Sequence, residues 1–305
     1  MEGRVMKSTG SWYEVIGTDK KKYNCRLQGK LRLDEGKETN PVAVGDRVEL
    51  LLDQNDASIS EVKQRDNHIL RQSVKKTGHR QVLAANVDQV LLIATVSHPR
   101  TSLGFIDRFL VSAESFRIPQ ILIFNKKDLL TEKEMVQIDQ AKALYESLNV
   151  TTLIISSLDD EDVKQLYNLL NNKTTLIAGH SGVGKSTLLN KLSPGLGQTT
   201  GEVSDFTSKG THTTTFAEMF LISENTFVID TPGVKEWGLV DMTQQEISDY
   251  FPEMRELRSE CKFESRCLHL TEPKCAIRLA VEEGTIALNR YNNYVSMVMG
   301  YDNRK

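Results

Sequence analysis

The octapeptide Gly179-His180-Ser181-Gly182-Val183-Gly184-Lys185-Ser186 limits what this 305-residue chain can fold into more than any other segment. The apolar run Leu176-Ile177-Ala178 precedes it, and Thr187-Leu188-Leu189-Asn190-Lys191-Leu192, which reads as a helix, follows it. Strand, glycine loop and helix form the context in which such a segment acts. The glycines permit a tight wrap whose backbone N–H groups point inward, and the helix adds its positive N-terminal end. The hollow so formed suits a phosphate. Lys185 is expected to bridge β- and γ-phosphates and the Ser186 hydroxyl to ligate Mg²⁺, with Thr187 beside them in the first helical turn.

The surroundings agree. From about residue 86, buried-strand runs alternate with helical stretches: 89–96, then 105–115, 120–124, 132–148 and 152–155. This alternation marks βαβ units and a parallel sheet. Leu91-Leu92-Ile93-Ala94 and Ile121-Leu122-Ile123-Phe124 lack polar alternation, as strands covered on both faces do. Three more segments fall at strand ends, where open α/β sheets bind ligands. In Asn125-Lys126-Lys127-Asp128, the Asp128 carboxylate can accept the two donors that guanine offers at N1 and N2 and adenine lacks. Asn125 suits the far edge of that ring, and Lys126 its face. Ser156 and Ser157 are expected to give the base backbone support.

In Asp230-Thr231-Pro232-Gly233, Asp230 is expected to hold Mg²⁺ through water and the Gly233 N–H to meet the γ-phosphate. Between this segment and the glycine loop lies Gly210-Thr211-His212-Thr213-Thr214-Thr215, from which a threonine, with Thr213 and Thr214 in the nucleotide set, would complete the Mg²⁺ shell. Together these segments specify a GTPase site. In GTPases of the ordinary order Asn-Lys-x-Asp comes last; here it comes first, so the sheet is circularly permuted. Val234 stands where many GTPases carry the glutamine that orients the attacking water. Intrinsic hydrolysis is therefore expected to be slow, with His212 the candidate to position the water; the competing reading is a surface histidine without a role. The catalytic set is thus Lys185, His212 and Gly233.

Residues 1–72 have a different texture. Five short β-rich runs, at 11–15, 23–27, 46–51, 59–62 and 68–70, suggest a small closed barrel, OB-type by preference and SH3-like as the alternative. Residues 1–80 hold 16 Lys and Arg against 12 Asp and Glu, whereas residues 81–246 hold 13 against 20. The barrel is thus the likelier face for a polyanion, with Lys20, Lys21, Lys22, Arg26, Lys30 and Arg32 as its cations, against the bland reading of a solvated surface. Trp12 and Tyr13 can stack on bases, but strand spacing sends one of the two into the core. Residues 74–80 read as a basic linker. No stretch approaches the roughly 18 apolar residues of a spanning helix, and Met1-Glu2-Gly3-Arg4-Val5 lacks the apolar core of a secretory signal, so no membrane role and a cytoplasmic location are expected.

Of the four cysteines, three cluster with a histidine: Cys261, Cys267, His269 and Cys275. Three thiolates and an imidazole match a closed tetrahedral zinc site with no position open for chemistry. Cys25 reads as ordinary barrel packing. The expected architecture is a multi-domain chain: an N-terminal OB-type β-barrel (1–72), a central α/β circularly permuted P-loop GTPase (73–240), and a C-terminal, mostly helical zinc-binding domain (241–305).

Across essentially its whole length the chain resembles the ribosome small-subunit-dependent GTPase A family (RsgA/YjeQ). The octapeptide from Gly179 to Ser186, the segment from Gly210 to Thr215 and the Cys261, Cys267, His269, Cys275 cluster carry the likeness. The resemblance implies a Mg²⁺-dependent GTPase cycling between GTP and GDP, with one structural Zn²⁺. It further implies that the protein binds the small ribosomal subunit and its ribosomal RNA, is stimulated by the subunit, and acts in its late maturation. No DNA partner is expected, and a monomer is. The competing readings are a GTPase serving another RNA or membrane process, and a nucleotide-gated RNA-binding module whose hydrolysis is residual.

Overall fold

A computed structural model describes residues 1–28, 41–53, 57–72, 80–193, 217–231 and 242–301. Five strands form the barrel: β1 (Glu2–Ser8), β2 (Tyr13–Gly17), β3 (Lys22–Leu27), β4 (Arg47–Leu52) and β5 (Ala57–Val62). Their order is β1-β2-β3-β5-β4, with β3 and β5 parallel, and β4 returns to β1 to close the cylinder at Gly3↔Val48. This is the OB-type order rather than the SH3-like one. Val5, Tyr13, Val15, Cys25, Val48, Leu50 and Ile59 fill its interior. Tyr13 is the core member of its pair, while Trp12 is 45% exposed with the Arg26 guanidinium 4.0 Å over its ring.

One of the five expected runs belongs elsewhere. His68-Ile69-Leu70 lies in β6 (His68–Gln72), which pairs with β7 (Arg80–Ala85) in a separate two-stranded sheet. The fifth barrel strand is instead β1, whose register against β2 shifts between Val5 and Lys7. A bulge breaks the period-two pattern, so Val5 and Met6 are buried in succession and the run does not look like a strand in sequence.

The central sheet runs β10 (Thr151–Ile154), β9 (Gln120–Phe124), β8 (Gln89–Ala94), β11 (Thr174–Gly179), β13 (Thr226–Asp230) and β12 (Glu218–Ser223), parallel except for β12. The sheet buries both faces. Leu92, Leu122, Phe124, Leu176 and Ala178 face α1 (Leu103–Ser115) and α2 (Glu132–Ser147). Leu91, Ile93, Ile121, Ile123 and Ile177 face α3 (Asp160–Leu170) and α4 (Lys185–Leu192). Alternate residues thus enter two cores, which is why the strands read as unbroken apolar runs.

The barrel is fastened to the rest of the chain at several points. At Lys7↔Glu218, β1 pairs with β12, and the Lys7 ammonium lies 3.0 Å from the Glu218 carboxylate. In the barrel, Gly45 (φ +90°) presses against β7, where a Cβ would fall on the Ala85 carbonyl oxygen. The C-terminal lobe comprises α5 (Gln244–Ile247), α6 (Pro252–Arg255), α7 (Ala276–Glu282) and α8 (Leu288–Val298) around Phe251, Met254, Ile277, Tyr294 and Met297. Val111 of α1 belongs to the same core, so the lobe is packed directly on the sheet's helical layer. Among the described residues no helix is long and apolar enough to cross a membrane.

Candidate functional site

Parallel strands end at one edge of the sheet, and the segments 125–128, 156–157 and 179–187 gather there with Asp230. β11 ends at Gly179 and gives way to the glycine loop; Gly182 (φ +84°) and Gly184 (φ +97°) take left-handed conformations that other residues rarely adopt. Gly184 stands at the N-cap of α4 with no side-chain cap, so the first N–H groups of the helix remain available to the loop. Ser181 and Gly182 are exposed at the rim, Val183 is buried, and Ser186 and Thr187 lie half-buried in the first helical turn. The His180 ring packs on Phe105 of α1, with ring centroids 4.0 Å apart and planes tilted by 37°.

The Asn125 to Asp128 segment is fastened to this loop. Asn125 is fully buried; its Nδ2 donates to the Val183 carbonyl at 2.8 Å, and its Oδ1 accepts from the Ser157 N–H at 3.0 Å. A Cβ at position 184 would collide with that Nδ2, so Gly184 gives the amide its path. The amide of Asn125 thereby ties three loops together. Asp128 is exposed, with Oδ1 accepting from the Ser156 hydroxyl at 2.5 Å, so Ser156 supports it through its side chain. Lys126 (φ +67°) donates to the His98 carbonyl at 2.5 Å, and Lys127 lies 2.5 Å from Asp162.

Asp162 also accepts from the Ser156 N–H at 2.7 Å. Neither Asp162 nor Phe105 was foreseen from sequence. Asp162 had a local signal, the acidic first turn of α3; Phe105 had none.

Asp230 ends β13 beside the loop, its register partner being Ile177 of β11. Its Oδ1 lies 3.4 Å from the Lys185 ammonium, close enough for ion pairing but outside hydrogen-bond geometry, and this buried oxygen has no hydrogen-bond donor among the described residues. A carboxylate oxygen so placed, facing a lysine and a helix N-terminus, fits the chemistry of a hydrated Mg²⁺ beside phosphate. The neighbouring Thr231 turns inward to donate to the Ile177 carbonyl. His212, Thr213, Thr214 and Gly233 lie outside the described residues.

The cysteine cluster is formed in the C-terminal lobe. Cys261, Cys267, His269 and Cys275 are all buried, with one ligand atom from each lying within 4.8 Å of the others. Cys261 and Cys275 sulfurs are 3.8 Å apart, and His269 Nδ1 lies 3.6 Å and 3.4 Å from them. Tetrahedral ligands about 2.3 Å (sulfur) and 2.0 Å (nitrogen) from a zinc ion stand about 3.8 Å and 3.5 Å apart, so the donors fit that ion. Burial pushes the His269 imidazole down to about 4, leaving the neutral ring that ligates metal. The loop is held from outside: Tyr291 and Tyr294 hydroxyls donate to the His269 and Leu268 carbonyls, and Glu272 accepts from three successive-loop N–H groups, of Leu268, Leu270 and Thr271.

Known proteins match the chain in family and in overall fold. A family model for the RsgA GTPase matches residues 62–240, and one for the RsgA N-terminal domain matches residues 2–59. The chain is 45% identical to the Small ribosomal subunit biogenesis GTPase RsgA of Christiangramia forsetii over 304 residues, covering 98% of this chain and 96% of that one. The protein of the same name from Bacteroides fragilis is 46% identical over 299 residues, with the same shares covered. Among solved structures, YjeQ from Thermotoga maritima superposes with a TM-score of 0.80 at 33% identity, covering 100% of this chain and 99% of that one. YloQ, a circularly permuted GTPase, superposes at 0.74 and 31%, covering 100% and 96%.

Proposed function

Because the chain belongs to the RsgA GTPase family and is thereby a GTP-hydrolysing enzyme, we propose that it acts in late maturation of the small ribosomal subunit, which stimulates its turnover. The observation that carries the nucleotide half of this reading is the bond from Asn125 to the Val183 carbonyl, which unites the Asn125 to Asp128 corner with the glycine loop. Guanine is read by Asp128, whose carboxylate Ser156 orients, with Lys126 along the ring face and Lys127 held aside by Asp162. Ser157 supports the same corner. Backbone N–H groups from Gly179 to Gly184, together with Lys185, Ser186 and Thr187, hold the phosphates. A Mg²⁺ ion, when bound, would supply charge neutralisation at the phosphates; the Ser186 hydroxyl would ligate it, Asp230 would hold it through water, and a threonine of the segment from Gly210 to Thr215 would complete its shell. The Gly233 N–H meets the γ-phosphate, and His212 positions the attacking water.

Cys261, Cys267, His269 and Cys275 hold one structural zinc ion. The barrel meets ribosomal RNA through its cations, Arg26 with its stacked Trp12 among them. The protein works as a cytoplasmic monomer without a DNA partner. Turnover measured with GTP alone, with small subunits and with large subunits tests the assignment: small subunits alone should raise it, and an equal response to both would overturn it. Substitution His212→Ala should abolish the stimulated rate while leaving GTP affinity within twofold; retained stimulation would remove His212 from the mechanism.

A further inference from the structure

The first turns of α1 are gripped from opposite sides. Phe105, 2% exposed, packs on His180 of the glycine loop with ring centroids 4.0 Å apart. Just before the helix, Pro99 lies against Gly182 of the same loop. Two residues after Phe105, and so about 200° further round the helix, Asp107 faces the C-terminal lobe. Its Oδ1 accepts from Arg290 Nη1 at 2.7 Å and from the Tyr145 hydroxyl at 2.8 Å, and its Oδ2 accepts from Asn293 Nδ2 at 2.5 Å. Arg290 also forks Glu253 at 2.8 and 3.1 Å and lies 4.5 Å over the Phe251 ring. With side-chain exposures of 3% for Arg290 and 1% for Asp107, this tie is shut away from water, where charge pairs are least screened.

Resting on the nucleotide reading above, we infer that Phe105 is a positioning residue for the phosphate-binding loop. The Asp107, Arg290 and Asn293 tie sets its position, so that α1 transmits the seating of the cysteine–histidine lobe to the nucleotide. The two contacts share one helical turn, and packed interiors transmit displacement rather than absorbing it. A movement of the lobe that carries Asp107 therefore carries Phe105, and the His180 ring either follows or loses its contact. Coupling between sites is reciprocal, so bound nucleotide must stabilise the seated lobe by the same factor by which the seated lobe favours nucleotide.

Titration of the full chain with a fluorescent GDP analogue tests this. His180→Ala, which removes the packed ring but no backbone N–H, should weaken binding by about 5-fold or more, the lower range of measured couplings. His180→Phe, which keeps a ring on Phe105, should restore it. Asn293→Ala, in α8 and more than 100 residues away in sequence, should also weaken binding, but should add nothing in the His180→Ala background. A melting curve accompanies each variant. The inference is overturned if the two losses multiply, if His180→Phe binds no better than His180→Ala, or if Asn293→Ala lowers the melting temperature with affinity within twofold of the unaltered chain. Failure of the unaltered chain to bind the analogue at all would instead overturn the nucleotide reading, and this inference with it.

Discussion

At the scale of single residues, the site depends on groups that hold separate loops together. Asn125 is the clearest: its amide satisfies the buried Val183 carbonyl and the Ser157 N–H at once. Replacing it with alanine leaves both unpaired, at about 1–3 kcal/mol each. The Asn125→Ala chain should lose at least about 2 kcal/mol in a urea unfolding series and bind guanine nucleotide far more weakly. Asp128 works at the exposed end of the same segment and should behave differently. Asp128→Asn swaps an acceptor for a donor, so GTP binding should weaken by about 2 kcal/mol or more, while XTP, which offers an acceptor at C2, should bind better than to the unaltered chain; folding stability should scarcely move. Residues of this kind were legible in sequence because their chemistry is tied to a fixed spacing. Asp107 and Arg290 were not: the partners stand 183 positions apart, and neither has a local pattern that announces the other.

Among elements, legibility followed periodicity. The central strands declared themselves through apolar runs, and α1, α2 and α4 through their helical stretches, whereas β1 hid behind its bulge and β6 passed for a barrel strand because its alternation is the same as one. What separates β6 from the barrel is its partner, β7, a relation between distant segments that no single segment carries. The barrel's contact with that hairpin turns on Gly45. Its left-handed φ and the Ala85 carbonyl leave no room for a side chain. Gly45→Ala should cost at least about 1 kcal/mol, and the cost should fall on docking: limited proteolysis should release an intact barrel and an intact remainder sooner than for the unaltered chain.

For the whole molecule, the cysteine–histidine lobe and the GTPase sheet share a core through Val111 and a buried charge network through Arg290, so the lobe is not an independent appendage. Metal analysis should find one zinc per chain. Its removal by a chelator should lower the melting temperature by roughly 10 °C, because structural zinc binding contributes directly to folding, and nucleotide affinity should fall with it. Unchanged melting after complete removal would deny the ion a structural role.

The bond from Asn125 to Val183 also bears on the order in which the protein comes into being. A chain made from its N-terminus presents β8, β9 and β10 first, and these neighbours can associate as soon as they emerge. The glycine loop follows only after β11, which must then insert at the free side of β8. Until it does, the Asn125 amide lacks its Val183 acceptor and the edge of β8 is bare. The half that reads the base is synthesised first yet cannot be finished alone: in this permuted chain it waits for the phosphate-binding loop to supply the Val183 carbonyl.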